Sequence, residues 1–176
     1  MITRIIVPTD GSDHAAKACE LAGDIAAKYD AEVTILHVLM SDASIDQLQA
    51  VAETYGADDD VKAEIRELVD LPLEAVAYGG DTVPVMTLVP QSLLMKIGQL
   101  ITAGARELVS GKGVEAISVQ IVGGRPADAI IEAAERNGCD MIVMGSRGFG
   151  DLKGLFMGSV SHKVSNLSEI TCVTVK

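Results

Sequence analysis

Short runs of apolar, largely β-branched residues alternate with helical patterns along the chain, and this alternation limits the possible folds most. The first run, Ile2–Pro8, ends in the turn-like segment Thr9–Ser12. A helical pattern follows over about Asp13–Tyr29, for which Ser12 is the predicted N-cap, and Glu32–Leu39 is the next strand. A strand, a helix and a strand in this order make a βαβ unit, so we expect the two strands to be parallel.

The second half repeats the pattern. Three further strands and two helices are predicted, in the order Ala116–Val122, helix Ala127–Asn137, Met141–Met144, helix Ser159–Leu167 and Ile170–Val175. Five strands alternating with helices predict an α/β fold with a doubly wound five-stranded parallel sheet. The length of 176 residues suits a single domain spanning residues 1–176.

The middle of the chain, from Ser41 to about Gly113, does not follow this pattern. Asp58–Asp60 forms an acidic break, and Leu71–Val89 is apolar but interrupted by proline and glycine, so we expect it to be irregular. Three stretches have helical spacing: Ile45–Tyr55, Val61–Val69 and Gln91–Leu108.

Composition excludes several classes of function. With 14 basic and 25 acidic side chains the formal net charge is −11, which disfavours nucleic acid as a partner. Three cysteines without CxxC spacing favour reduced thiols over a disulfide or metal site, and His14, His37 and His162 lack metal-ligand spacing. The N-terminus lacks the layout of a signal peptide, and no stretch has the ~18 consecutive apolar residues of a membrane helix. We therefore expect a cytoplasmic protein without membrane insertion.

A glycine-rich segment, Gly145–Ser159, follows the Met141–Met144 strand and leads into the next predicted helix. Glycine lets backbone N–H groups approach an anion without a Cβ in the way, and a helix N-terminus favours negative charge. Arg147 and the Ser159 hydroxyl are candidate phosphate donors. The segment therefore predicts a phosphate site, and the alternative is a mobile glycine loop that binds nothing.

A second loop can face this segment. In open parallel sheets ligands bind beyond the carboxyl ends of the strands, where the winding direction reverses. If the first strand lies beside the fourth, Pro8–Gly11 faces Gly145–Gly148 across that crevice, and the Asp10 carboxylate can accept hydrogen bonds from a ribose or an adenine amine. Taken alone, Asp10 and Gly11 also fit an ordinary turn.

The spacing of these residues resembles that of a known family. Gly145-x2-Gly148-x9-Gly158-Ser159 matches the G-x2-G-x9-G-[S/T] pattern of ATP-binding universal stress proteins. Pro8–Ser12 is similar to their first loop, and Gly124–Pro126 to the turn after their third strand. The resemblance covers the chain except most of Ser41–Leu94.

The resemblance implies a sheet of order 3-2-1-4-5, a homodimer formed through the last strand, and binding of ATP or AMP, with Mg²⁺ assisting. It also implies a stress-response regulator that acts through nucleotide occupancy and partner contacts, with at most slow hydrolysis and no assigned catalytic residue. Two features depart from the family: Val173 stands where proline is usual, and residues 41–94 form an insertion. The implied nucleotide-binding residues are Pro8, Thr9, Asp10, Val38, Met144, Gly145, Arg147, Gly148, Gly158, Ser159 and Val160.

Two other functions stay open. A hydrolase or transferase of the related adenine-nucleotide group would need a second phosphate loop, which Thr9–Ser12 does not supply. A nucleotide-free interaction protein would not require the intact glycine spacing. For the apolar segment Leu71–Val89 we predict a lid or a contact with a partner protein, with a permanently packed layer as the alternative.

Overall fold

A five-stranded, all-parallel sheet forms the centre of the computed structural model, which describes residues 1–41, 43–70, 76–78, 81–83, 89–149 and 157–176. The chain order of elements is β1 Arg4–Pro8, α1 Asp13–Tyr29, β2 Glu32–Val38, α2 Ile45–Thr54, α3 Asp59–Asp70, β3 Val76–Tyr78, β4 Asp81–Val83, α4 Gln91–Ser110, β5 Ile117–Val122, α5 Pro126–Arg136, β6 Met141–Gly145, α6 Ser159–Leu167 and β7 Thr171–Val175. The sheet order is β5-β2-β1-β6-β7. Counting only these five strands, this is the expected order 3-2-1-4-5, so the fold prediction is confirmed.

The sheet places β1 between β2 and β6. Ile5 pairs with Val33 on one side and with Met141 on the other, both in parallel. The chain winds from β1 towards β2 in the first half and from β6 towards β7 in the second. The winding direction therefore reverses at the β1–β6 boundary, and the loops after these two strands lie side by side at the carboxyl edge.

Helices cover both faces of the sheet with small side chains. One core contains buried residues of α1 and α4 against alternate strand residues such as Ile5 and Val7. The other contains residues of α5 and α6 against Ile6 and Ile142. Because successive strand residues point to opposite faces, strands buried on both faces must be apolar throughout, as the β-branched runs of the sequence are.

A third core joins α2, α3 and α4, and it accounts for much of the region between β2 and β5. Leu48, Ile65, Leu93 and Ile101 are among its most buried side chains. The Asp58 carboxylate accepts a hydrogen bond of 2.9 Å from the Val61 N–H group. The acidic run therefore begins α3, instead of only separating two helices, because carboxylates are favoured at a helix N-terminus.

The segment Leu71–Val89 is not irregular throughout. Strands β3 and β4 pair antiparallel, with Val76 opposite Val83 and Tyr78 opposite Asp81. The sequence between them, Gly79-Gly80, is typical of hairpin connections. Apart from Val89, the rest of the predicted lid or partner contact lies outside the described residues, as does the stretch 150–156 of the glycine-rich segment.

Two further sequence expectations concern element ends. Ser12 caps α1 as predicted, accepting a hydrogen bond from the Ala15 N–H group, and Pro126 occupies the first turn of α5. Strand β1 begins at Arg4 instead of Ile2, since pairing with β2 starts where Arg4 meets Glu32. No helix in the described part of the chain is both long and apolar enough to cross a membrane.

Candidate functional site

The loop after β1 is held in place by its own side chains. The Thr9 N–H group donates to the Leu36 carbonyl at 2.9 Å, and the Gly11 N–H group donates to Thr9 Oγ1 at 3.2 Å. Gly11 has φ +86°, a conformation that glycine adopts without steric cost. These bonds turn the chain sharply from β1 into α1 and leave the Asp10 side chain directed towards the loop after β6.

The Asp10 carboxylate connects the two loops. Its Oδ1 accepts hydrogen bonds from the Ser12 N–H group at 3.0 Å and from the Ser12 hydroxyl at 2.6 Å. Its Oδ2 accepts a bond of 3.1 Å from the Phe149 N–H group. A Cβ on Gly148 would overlap Oδ2, so only glycine permits this approach. The predicted facing of the two loops is confirmed, and Asp10 has a structural role in it that the sequence did not indicate.

The Ser146 carbonyl holds the two ends of the glycine-rich segment together. It accepts hydrogen bonds from the Gly158 N–H group and the Ser161 hydroxyl, both at 2.7 Å. The Ser146 N–H group donates to the Val175 carbonyl of β7, also at 2.7 Å. The start of α6 is therefore fixed against the end of β6, whatever lies between them.

The N-terminus of α6 is open to a ligand. Its N-cap is Gly158, which provides no side-chain hydrogen bond, and Ser159 at the first helical position is exposed. The first N–H groups of a helix have no intrahelical acceptor, and together with the helix dipole they attract anions. The geometry is therefore suited to a phosphate or carboxylate group.

Gly145 allows α1 to pack directly on the end of β6. A Cβ there would lie 2.9 Å from the Ala15 nitrogen and 2.9 Å from the His14 carbonyl carbon, both of them backbone atoms. Real contacts of this kind are longer by about half an ångström or more. This glycine is therefore required by the helix behind the site as well as by the cavity in front of it.

Arg147 is oriented by a histidine that the sequence did not single out. Its Nη2 donates to His14 Nε2 at 3.4 Å, and His14 Nδ1 lies 3.0 Å from the Ser146 hydroxyl. Since a guanidinium can only donate, Nε2 is the acceptor and Nδ1 carries the hydrogen. No spacing in the sequence signals this contact, because His14 and Arg147 are 133 positions apart.

One cavity of about 310 Å³ lies at this edge of the sheet and is bordered by all eleven residues predicted from the sequence. Its wall also contains residues that sequence reasoning missed. They come from the segment after β2, from α2, from α5 and from the glycine-rich segment: Leu39, Met40, Ser41, Ala43, Gln47, Pro126, Ile130 and Phe149 are among them. Hydrophobic spacing predicted both helices, but not which of their side chains border the cavity.

The two ends of the cavity differ in chemistry because they belong to loops on opposite sides of β1. The segment after β2 contributes Leu39, Met40 and Ala43 together with Ser41, a mainly apolar surface. The segment after β6 contributes glycines, Arg147 and the open start of α6. The cavity can therefore accept a flat apolar group at one end and an anionic group at the other.

His37 supports the first loop from below and is deeply buried. It is 1% exposed, and its Nδ1 donates to the Thr9 carbonyl at 2.9 Å. Its Nε2 has no hydrogen-bond partner among the described residues, so it is only half satisfied. Burial lowers the pKa of this histidine below its usual value, outweighing the opposite effects of the Thr9 carbonyl and Asp10. It is held neutral behind the site and does not border the cavity.

The cysteines are free, as expected. Cys19 and Cys139 are buried and Cys172 is partly buried. Burial raises the pKa of the Cys19 thiol to about 12, with Glu20 and Asp10 adding to the effect. Among the described residues no group of three or more His, Cys, Asp or Glu side chains could hold a metal ion.

Comparisons with known proteins agree with this architecture. The universal stress protein YxiE of Bacillus subtilis is 31% identical over 180 residues, which cover 100% of both chains. A universal stress protein in complex with cAMP superimposes with a TM-score of 0.59 at 22% identity, covering 99% of this chain and 96% of that one.

A second solved structure is the universal stress protein from Archaeoglobus fulgidus in complex with dAMP. It has a TM-score of 0.58 at 14% identity and covers 100% of this chain and 98% of that one. At such identities the solved structures establish the fold. The model of the universal stress protein family matches residues 1–176, and the chain belongs to that family.

Proposed function

We propose that the protein binds an adenine nucleotide, ATP or AMP, in the cavity at the carboxyl edge of the sheet. One observation carries the proposal: a single cavity combines an apolar end with a glycine-lined end at the uncapped start of α6. A nucleotide has the same division into a flat base and an anionic tail. Relatives with the same fold were solved with cAMP and dAMP, which supports the assignment of the base.

The nucleotide lies across β1 in this proposal. Adenine packs at the apolar end, against Thr9, Asp10 and the backbone of Val38. Ribose and the first phosphates are surrounded by Met144, Gly145, Arg147 and Gly148. The phosphate end reaches the N–H groups of the α6 N-terminus, at Gly158, Ser159 and Val160. The orientation follows from the chemistry of the two ends.

The charge of the site favours a phosphate bound mainly by the backbone. Arg147 is the one cationic side chain among the described residues that border the cavity, while the whole chain has a net charge of −11. The N–H groups at a helix N-terminus attract an anion without a charged side chain. Mg²⁺ bound with ATP would offset the remaining negative charge of the triphosphate.

We further propose that nucleotide occupancy regulates contacts with a partner protein during stress, in the cytoplasm, and that the chain forms a homodimer. Strand β7 lies at one edge of the sheet, and no described strand pairs with its outer side, so a second copy could pair there. Removing Thr171–Lys176 should then give monomers or aggregates. A truncated protein that remains dimeric in light scattering would contradict the proposed interface.

Isothermal titration calorimetry with ATP and AMP tests nucleotide binding directly. Gly148→Val places a side chain where Asp10 Oδ2 lies, so we expect it to abolish binding. Gly123→Ala is the matched control: its Cβ would meet no atom within 4 Å, and binding should be unchanged. Circular dichroism confirms that both variants fold. Wild-type affinity in Gly148→Val would show that the nucleotide does not occupy this cavity.

A further inference from the structure

The side chain of Gln47, in the first turn of α2, borders the cavity at its apolar end, close in sequence to Met40 and Ala43. Its orientation is set by a capping box. The carboxamide Oε1 of Gln47 accepts a hydrogen bond of 2.8 Å from the Ser44 N–H group. The backbone N–H group of Gln47 donates to Ser44 Oγ at 3.2 Å. The oxygen is therefore committed to the helix end, which leaves the amide NH₂ group to face another partner.

Helix α2 is firmly attached to the rest of the site, so Gln47 has a defined position. Leu48 and Val51 are fully buried in the core shared with α3 and α4. At the end of the helix the Tyr55 hydroxyl donates to the Gly11 carbonyl at 3.0 Å, which joins α2 to the loop that carries Asp10. The distance between Gln47 and that loop is fixed by these contacts at both ends of the helix.

The NH₂ group of Gln47 has no hydrogen-bond partner among the described residues. The residue is half-buried, and a ligand that accepts from this donor gains a hydrogen bond of defined direction. The neighbouring wall is mainly apolar, with Leu39, Met40 and Ala43 beside Ser41. A donor placed in an apolar wall selects a flat ring that has an acceptor at its edge.

We propose that Gln47 reads the base, donating from Nε2 to a ring nitrogen of adenine. This inference rests on the proposed nucleotide site and adds a specificity residue to it. The ring nitrogens N1, N3 and N7 of adenine are acceptors, whereas its amino group offers donors. The capping box turns a side chain that could offer either a donor or an acceptor into a donor alone.

Gln47→Glu tests the inference because glutamate preserves the capping box while it replaces the NH₂ donor with a carboxylate oxygen. Gln49→Glu is the matched control. It adds the same charge to the same helix, but two positions along, where the side chain does not share the face of Gln47 and does not border the cavity. Thermal unfolding should be close to that of the wild type in both variants.

We expect Gln47→Glu to weaken ATP binding about 10- to 100-fold in calorimetry, and Gln49→Glu to leave it unchanged. ATP analogues with C–H in place of N1, N3 or N7 then locate the contact. One of them should bind the wild type more weakly than ATP does, and for that analogue the penalty of Gln47→Glu should disappear.

Other outcomes overturn the inference. Equal ATP affinity of Gln47→Glu and wild type would leave Gln47 as a helix cap only, with the nucleotide site intact. Tighter binding would mean that position 47 faces the adenine amino group. A Gln47→Glu penalty that is the same for ATP and all three analogues would indicate charge repulsion without base reading. If the wild type binds no adenine nucleotide, the proposed function fails, and this inference fails with it.

Discussion

The Asp10 carboxylate holds the two loops of the site together, and Asp10→Asn removes one of its acceptors with almost no change in shape. In the native protein the carboxylate accepts two bonds from Ser12 and one from the Phe149 N–H group. A carboxamide has a single oxygen. If that oxygen serves Ser12, the NH₂ group faces the Phe149 N–H group, and two donors oppose each other.

We expect Asp10→Asn to lower the free energy of unfolding by the contribution of one hydrogen bond to a charged group, about 1.5–3 kcal/mol. This cost falls on the contact between the loops, so the Phe149 amide should exchange with solvent roughly 10- to 100-fold faster. ATP affinity should also fall, because Gly148 and Arg147 are no longer held against the first loop. Hydrogen exchange measured by NMR, with urea unfolding and calorimetry on the same samples, gives all three quantities.

Asp13→Asn is the control for loss of charge. Asp13 is exposed in the first turn of α1, where removal of its charge costs about 0.3–1 kcal/mol through the helix dipole. It should leave the exchange of Phe149 unchanged. If Asp10→Asn and Asp13→Asn have the same small effect on stability, and Phe149 stays protected in both, the carboxylate does not hold the loops together.

Two further predictions concern the elements behind the site. Gly145→Ala should lower the free energy of unfolding, measured in urea, by about 1–3 kcal/mol, because its Cβ would press on the backbone of α1. The control Gly123→Ala should have a free energy of unfolding within about 0.5 kcal/mol of the wild type. Equal stability of the two variants would contradict the packing. His37 has a lowered pKa in the folded state, so its contribution to stability is complete above pH 6.5 and declines as the pH falls below that value, because the unfolded chain then binds the proton more readily. His37→Gln should reduce the loss of stability between pH 7.5 and 5, with the exposed His162→Gln as control, and an unchanged pH profile in His37→Gln would refute the assignment.

The alternation of strands and helices was readable from the sequence because the central strands β1, β2 and β6 are largely buried on both faces. Ile5 and Val7 face one core and Ile6 the other, so no polar residue could stand between them. Such runs are short, continuous and apolar, and the helices between them have a different spacing. The order of the strands came from the resemblance to a family, since spacing alone indicates parallel neighbours but not their full sequence across the sheet.

The hairpin β3–β4 and the cavity wall from α2 could not be foreseen in the same way. A hairpin of three-residue strands has too little alternation to be recognised, although Gly79-Gly80 marks its turn. The sequence of α2 predicts an amphipathic helix, and its Ser44-x-x-Gln47 capping box is visible in it. Which of its residues borders the cavity depends on how α2 packs on α3 and α4, contacts that involve residues far apart in the chain.

The glycine spacing was informative because its two ends have separate structural causes. Gly145 and Gly148 are required by close neighbours, the backbone of α1 and the Asp10 carboxylate. Gly158 donates to the Ser146 carbonyl, which also receives the Ser161 hydroxyl, so the start of α6 is fixed to the end of β6 by bonds that involve no residue in between. A spacing of nine residues between Gly148 and Gly158 can therefore be kept while the residues within it change, since the anchors do not depend on them. A pattern of this kind specifies where backbone N–H groups converge, and side chains such as Gln47 and His14, which depend on distant packing, must be found in the structure.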